Sequence, residues 1–318
     1  MIRSRSGRRR YGALAAVAAA VVALAGCADS GTAPPPPIPG QADTGGYDAV
    51  IAGSPVADPS AIPAGSWADK IRQRGRLIRG GTDTGALFSL RDPTTGKITG
   101  FDAGLAAMLA HYITGKADQD AVELVTTTVD TRETLLQNKT VDAVFATYTI
   151  KPERAEKVAF AGPYYESGDA IMVKADNTTI TEVGDLNGKT VATESNSTAA
   201  LAVKQFAPQA NVLLFQEDAQ CVAAVQQGRA DAYVLDESIL VSDASTNPQV
   251  KVVGTPFTKE PYGIGLPKDD PAAKQFVNDW LTKIYADGSW LELWQATVGT
   301  VVKGQTPTPP QLGSVPGS

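Results

Sequence analysis

Apolar residues in the middle of the chain fall into short runs that alternate with longer amphipathic stretches. Leu77 and Ile78 open a run of strand length, and residues 103–112 follow as a helix behind Asp102, whose carboxylate suits an N-cap. Residues 122–125 then read as a strand, 132–137 as a helix and 141–146 as another strand. Such alternation predicts an α/β chain with largely parallel sheets. The same grammar returns later. Residues 134–147 align without gaps with 223–236, each copy a helix, a tight break, an Asp-Ala strand and a polar residue. Gly75-Arg76-Leu77-Ile78 and Gly188-Lys189-Thr190-Val191 make an earlier pair. Two similar lobes are therefore expected, with a ligand cleft where the carboxyl ends of the strands converge, at 82–85, 147–149, 193–198 and 235–237.

The two ends of the chain read differently. Arg3, Arg5, Arg8, Arg9 and Arg10 precede an apolar run over 13–25, the order of a secretory signal covering 1–26. That run is shorter than the ~20 residues a spanning helix needs. Leu24-Ala25-Gly26-Cys27 resembles the lipobox of bacterial lipoproteins, which implies cleavage before Cys27 and lipid attachment to its sulfur. Residues 27–65, with prolines at 34–37 and 39, are expected as a Pro/Gly/Ser-rich tether. Residues 303–318, which carry four prolines, are expected as a disordered tail, leaving a folded domain over 66–302.

Charge narrows the function. Loss of the five signal arginines takes Lys+Arg from 28 to 23 against 34 Asp+Glu, a formal charge of −11. An acidic chain without a basic cluster argues against nucleic acid. The one histidine, His111, has no His or Cys at ligand spacing, so neither a metal nor another cofactor is expected. Cys221 is the only cysteine besides Cys27, so no intramolecular disulfide is expected once Cys27 carries lipid. Trp280, Trp290 and Trp294 sit in an amphipathic C-terminal segment and read as core residues.

Several motifs then carry a resemblance. Gly100-Phe101-Asp102 opens an apolar helix, although Gly104 stands where an acidic residue is usual. Ala146-Thr-Tyr-Thr-Ile-Lys-Pro-Glu-Arg154 ends in a Thr-x-x-x-Glu-Arg pattern, followed by Phe160-Ala-Gly-Pro-Tyr-Tyr165 and Asp185-Leu-Asn-Gly-Lys-Thr-Val191. In these, and in their order, the chain resembles the family 3 solute-binding proteins of polar amino acid ABC transporters, nearest to actinobacterial glutamate-binding proteins. The resemblance implies a two-lobed periplasmic-binding-protein-like (type II) fold with two crossing hinge segments, near 170–174 and 262–266. Lobe one would span about 67–169 and 262–302, and lobe two about 175–259.

It also implies a ligand set. Arg154 offers a planar fork that fits an α-carboxylate in two parallel hydrogen bonds. Thr149 would add a hydroxyl, the carbonyl of Thr147 would accept from the α-ammonium, and Ser197 and Thr198 would form a second carboxylate clamp. Asp236 would supply the negative charge that the ammonium needs, and Phe88 an apolar wall. Read without the family, Arg154 pairs equally well with Glu153 or Glu156, the threonines are ordinary strand-edge residues, and Asp236 is a helix N-cap. Relatives from acidic amino acid systems often pair Cys221 with a second cysteine; here Ala192 stands at that position.

Glutamate is the favoured ligand by resemblance, with glutamine, aspartate and asparagine open. Asp83 and Glu194 fall where relatives approach the ligand side chain, and one such carboxylate at ~4 Å would repel a second carboxylate by roughly 4 kcal/mol. Glutamate would need an offsetting cation, for which Arg79, Arg91 and Lys97 are candidates. The expected partners are the amino acid, ABC permease subunits and, through the lipid anchor, the outer face of the cell membrane; the protein itself is expected to be a monomer. Two rival readings are a sensor lipoprotein and a cyclohexadienyl dehydratase-like enzyme. For the enzyme the sequence offers no nucleophile, histidine relay or metal set.

Overall fold

Leu77 and Ile78 do open a strand. Helix α1 (Thr44–Gly53) leads to α2 (Trp67–Arg74), which Ser66 caps by accepting from Asp69 N at 3.1 Å and which ends at Gly75 in the left-handed region. Next come β1 (Leu77–Gly81), a small antiparallel sheet of β2 (Thr84–Gly85), β3 (Ser89–Arg91) and β4 (Ile98–Thr99), then α3 (Phe101–Thr114) and β5 (Val122–Thr126). They are followed by α4 (Arg132–Gln137), β6 (Ala143–Val144), α5 (Pro152–Ala155) and β7 (Ala159–Ser167). The second half begins with β8 (Asp169–Lys174), β9 (Thr190–Glu194), α6 (Thr198–Phe206), β10 (Asn211–Phe215) and α7 (Asp218–Gln226). It continues through β11 (Ala232–Asp236), α8 (Glu237–Thr246) and β12 (Val250–Val253) before β13 (Glu260–Leu266), α9 (Pro271–Ala286) and α10 (Ser289–Ala296). This computed structural model describes residues 44–302 and 306–318.

The strands form two five-stranded sheets of the same design, β5-β1-β6-β13-β7 and β10-β9-β11-β8-β12. In each, the first three strands run parallel and the next lies antiparallel to them. The two repeats read in the sequence occupy matching places: β1 answers β9, and β6 answers β11. Lobe one is built on the first sheet and lobe two on the second. The chain crosses between lobes at Gly168, from β7 to β8, and again through 254–259, from β12 to β13. The segments expected to cross, 170–174 and 262–266, are instead inner strands of the two sheets. At the true crossing the two segments pass closely, since a Cβ on Gly168 would lie 2.4 Å from the Thr258 carbonyl oxygen.

Three other expectations change. Asp102 is not an N-cap: Gly100 takes that position, and Asp102 is the helix's second residue, its carboxylate accepting from Thr147 N at 2.8 Å and Tyr164 Oη at 2.7 Å. The tether does not extend to 65. Within it α1 packs on α3 and α10, burying Tyr47 and Ile51, because those two apolar side chains cover surface that α3 leaves open. Gly104 now has a reason, as a Cβ there would meet Leu293 at 2.4 Å and Tyr47 at 3.1 Å. Finally, residues 306–318 are not a free tail. Leu312 and Val315 pack on lobe-one clusters, and Gly313 N donates to the Gly162 carbonyl on β7 at 2.9 Å. The signal segment and Cys27 lie outside the described residues.

Helix α3 is apolar almost all round, as a helix buried between a sheet and other helices must be. Trp280 and Trp290 complete the lobe-one core, while Ile171, Val173, Val191, Leu235 and Leu240 form that of lobe two. His111 is buried, with Nδ1 3.1 Å from Ser54 Oγ, and burial lowers its pKa. Cys221 is a buried free thiol. Among the described residues no helix is long and apolar enough to cross a membrane, and no cluster of His, Cys, Asp or Glu could hold a metal.

Candidate functional site

The carboxyl ends of β1 and β6 in one lobe and of β9 and β11 in the other open on a single cleft. Its lobe-one wall includes Thr82, Thr84, Phe88, Arg132 and Thr147; its lobe-two wall includes Glu194, Asp218, Leu235 and Ser242. The lobes also touch across the mouth. Asn196, in the loop after β9, donates its side-chain amide to Asp130, and its carbonyl accepts from Arg154 Nη2 at 3.3 Å.

Arg154 sits on the four-residue α5, whose first position is Pro152. Its Nη1 donates to the Thr149 carbonyl at 2.9 Å and its guanidinium carbon lies 5.2 Å from the Tyr148 ring centre. Arg132, which the sequence reading did not single out, approaches the same ring more closely, at 3.9 Å, and donates to the Ala146 carbonyl at 2.9 Å. Two guanidiniums thus share one aromatic ring, and of the two Arg132 lines the cleft. Arg132 is buried, and burial followed by the neighbouring Arg154 charge lowers its pKa to about 10, still a cation at neutral pH.

Thr147 lines the cleft with backbone in the left-handed region, φ 43°, fixed by its N–H bond to Asp102. Thr149 is buried and bridged to Tyr262. Ser197 caps α6, accepting from Ala200 N at 3.1 Å and donating to the Glu194 carbonyl at 2.7 Å, so its hydroxyl already has a structural duty. Thr198 opens that helix, where backbone N–H groups favour an anion. Asp236 stands at the N-cap position of α8 but makes no cap bond, and its Oδ1 is buried without a partner. Burial, then the Glu260 charge, raises its pKa. Phe88 is buried and lines the cleft, its ring edge-on to Tyr165 at 5.4 Å and Tyr262 at 6.0 Å.

Of the expected site residues, Phe88, Thr147 and Glu194 line the cleft, whereas Arg154, Thr149, Ser197, Thr198, Asp236 and Asp83 are not among its lining residues. Thr82 and Thr84 line the cleft, while Asp83, in the bend between β1 and β2, is held by Arg91, whose Nε donates to it at 2.8 Å. The three expected cations are elsewhere too. Arg79 donates to the Thr82 carbonyl and Ser89 Oγ, Arg91 holds Asp83, and Lys97 pairs with Asp48; none lines the cleft. Glu194 does line it. Burial, and after it the Asp218 charge, pushes its carboxyl up to about 8.

Arg132 and Asp218 were missed because the strand-end rule was applied to four strands and not to β5 and β10. Residues 127–129, Arg132 and residues 216–218, beyond those two strands, line the cleft as well. The same rule, applied throughout, would have found them.

Residues 78–299 match the bacterial extracellular solute-binding proteins, family 3. A glutamine-binding protein of Geobacillus stearothermophilus is 40% identical over 202 residues, 63% of this chain and 76% of that protein. The glutamate-binding protein GluB of Corynebacterium efficiens is 36% identical over 232 residues, 69% of this chain and 79% of its own length. Among solved structures, an ancestral amino acid-binding protein described as a precursor of cyclohexadienyl dehydratase superposes with a TM-score of 0.67 at 36% identity, covering 73% of this chain and all of that one.

Proposed function

Because the chain belongs to the bacterial extracellular solute-binding proteins of family 3, we propose that it captures a free polar amino acid outside the membrane and delivers it to an ABC importer. In this reading it is a binding protein and not an enzyme, held to the membrane by lipid on Cys27. Arg154 with the first turn of α6 takes the α-carboxylate, and Asp236 takes the α-ammonium. Arg132 takes an oxygen of the ligand's side chain. Glutamate is the favoured ligand and glutamine the second.

The observation that carries this choice is the pair of guanidiniums on the Tyr148 ring, two cations for the two carboxylates of glutamate. The unpartnered Oδ1 of Asp236 supports the ammonium site, since a buried carboxylate oxygen without a donor is costly unless a ligand supplies one. The glutamine- and glutamate-binding relatives support the same ligand class.

Calorimetric titration of ligand-stripped protein with glutamate, glutamine, aspartate, asparagine and arginine tests it. Glutamate should bind most tightly and glutamine next, and Arg154→Ala should weaken both by several kcal/mol while the protein stays folded. Arginine binding most tightly, or near-normal affinity in Arg154→Ala, would overturn the assignment.

A further inference from the structure

We infer that Glu194 and Asp218 form a selector on the lobe-two wall that distinguishes a carboxylate from an amide at the end of the ligand's side chain. The inference rests on the amino acid reading above. Glu194 ends β9 and Asp218 opens α7, and both line the cleft. Tyr233 on β11 donates its hydroxyl to Asp218 Oδ1 at 2.7 Å, and Asp243 on α8 lies close behind. Ser242, also on this wall, is buried with an Oγ that has no partner, a polar atom left for whatever enters the cleft.

The charges around this wall are one-sided. Asp218, Asp236 and Glu217 face Glu194 with negative charge, and Arg132 across the cleft is the positive group that faces it. Asp218 is faced by Glu217, Asp243 and the Tyr233 hydroxyl, and Asp243 by Asp218 and Glu194. Among the described residues none of these carboxyls has an ion-pair partner. Burial and mutual repulsion therefore hold protons on the wall, with Glu194 pushed up to about 8 and Asp243 to about 9.

A protonated Glu194 donates to a ligand oxygen; an ionised one only accepts. Glutamate, whose side chain is ionised above pH ~5, needs the first form. Glutamine, whose amide carries both an acceptor and donors, fits either.

Titrating glutamate and glutamine at several pH values between 6.5 and 9 tests this, and the affinity ratio cancels the ionisation of the α-ammonium that both ligands share. The glutamate-to-glutamine ratio should fall about tenfold between pH 7 and 9, the loss expected one unit above a pKa near 8. Glu194→Gln should flatten that profile. Asp218→Asn removes a repelling charge, lowers the Glu194 pKa and should move the fall to lower pH, a shift that loss of packing alone would not give. Parallel profiles for the two ligands in the natural protein, or a persistent fall in Glu194→Gln, overturn the selector alone. Failure of both ligands to bind at any pH overturns the selector together with the amino acid reading. Should Glu194→Gln not fold, the profiles of the natural protein and of Asp218→Asn decide.

Discussion

Arg132 and Arg154 lie on the same aromatic ring yet have different surroundings, and their substitution should separate two parts of the ligand. Arg154 is tied to the Thr149 and Asn196 carbonyls, one in each lobe, so it acts where the lobes close. Arg132 is buried in the cleft wall with a single carbonyl partner recorded for its guanidinium, leaving donors for a ligand oxygen. Arg132→Met keeps an apolar stem against Tyr148 and removes the charge. Glutamate binding should weaken by about 3 kcal/mol, more than a hundredfold, because its side-chain carboxylate would enter the cleft unpaired. Glutamine should lose less, having no charge to pair. Equal losses in calorimetry would take Arg132 out of the side-chain subsite. Asp83, by contrast, is held by Arg91 away from the cleft, so the specificity first assigned to it passes to the lobe-two wall.

At the scale of elements, the domain is larger than its family-matched stretch. Helix α1 precedes that stretch and contributes Tyr47 and Ile51 to the lobe-one core, while the segment 306–318 donates from Gly313 N to the Gly162 carbonyl on β7, an outer strand of its sheet. An outer strand exposes unpaired backbone groups, and this bond satisfies one of them. Ile51→Ala should therefore destabilise the protein by roughly 2 to 5 kcal/mol, the cost of a buried isoleucine, and lower the thermal midpoint by several degrees. An unchanged midpoint would return this helix to the tether.

For the whole molecule, the buried carboxyls set a pH dependence of stability. Burial raises Asp102 to about 6, Glu194 to about 8 and Asp243 to about 9, above the values of 3.8 to 4.5 that such groups have when exposed. The folded state then binds more protons than the unfolded chain through this window. Stability must fall as pH rises from about 4 to 9 and level off above it, since the slope follows the excess of protons on the unfolded side, here negative. Ligand-free protein should melt at a lower temperature at pH 8.5 than at pH 5.5 in calorimetric scans, and Glu194→Gln should reduce the difference. A midpoint that rises with pH would contradict the neutral state of these carboxyls.

The sequence by itself determined the alternation of strand and helix, the duplicated lobes and the convergence of strand ends on one cleft. These follow from hydrophobic period and chain connectivity, which act over a few neighbouring residues and leave their pattern in the order of the chain. It also pointed to Asp236 and Thr147, because a strand-end position is fixed by the strand that precedes it. Only the tertiary structure decided which guanidiniums meet at Tyr148, that Asp83 faces Arg91, and that α1 and residues 306–318 are folded onto lobe one. Each of those depends on partners in different elements or loops. Arg132 reaches Tyr148 across two elements, and Tyr47 finds Leu293 through the missing Cβ of Gly104. No local pattern encodes such meetings, because their free energy comes from surfaces that exist only once lobe one has assembled.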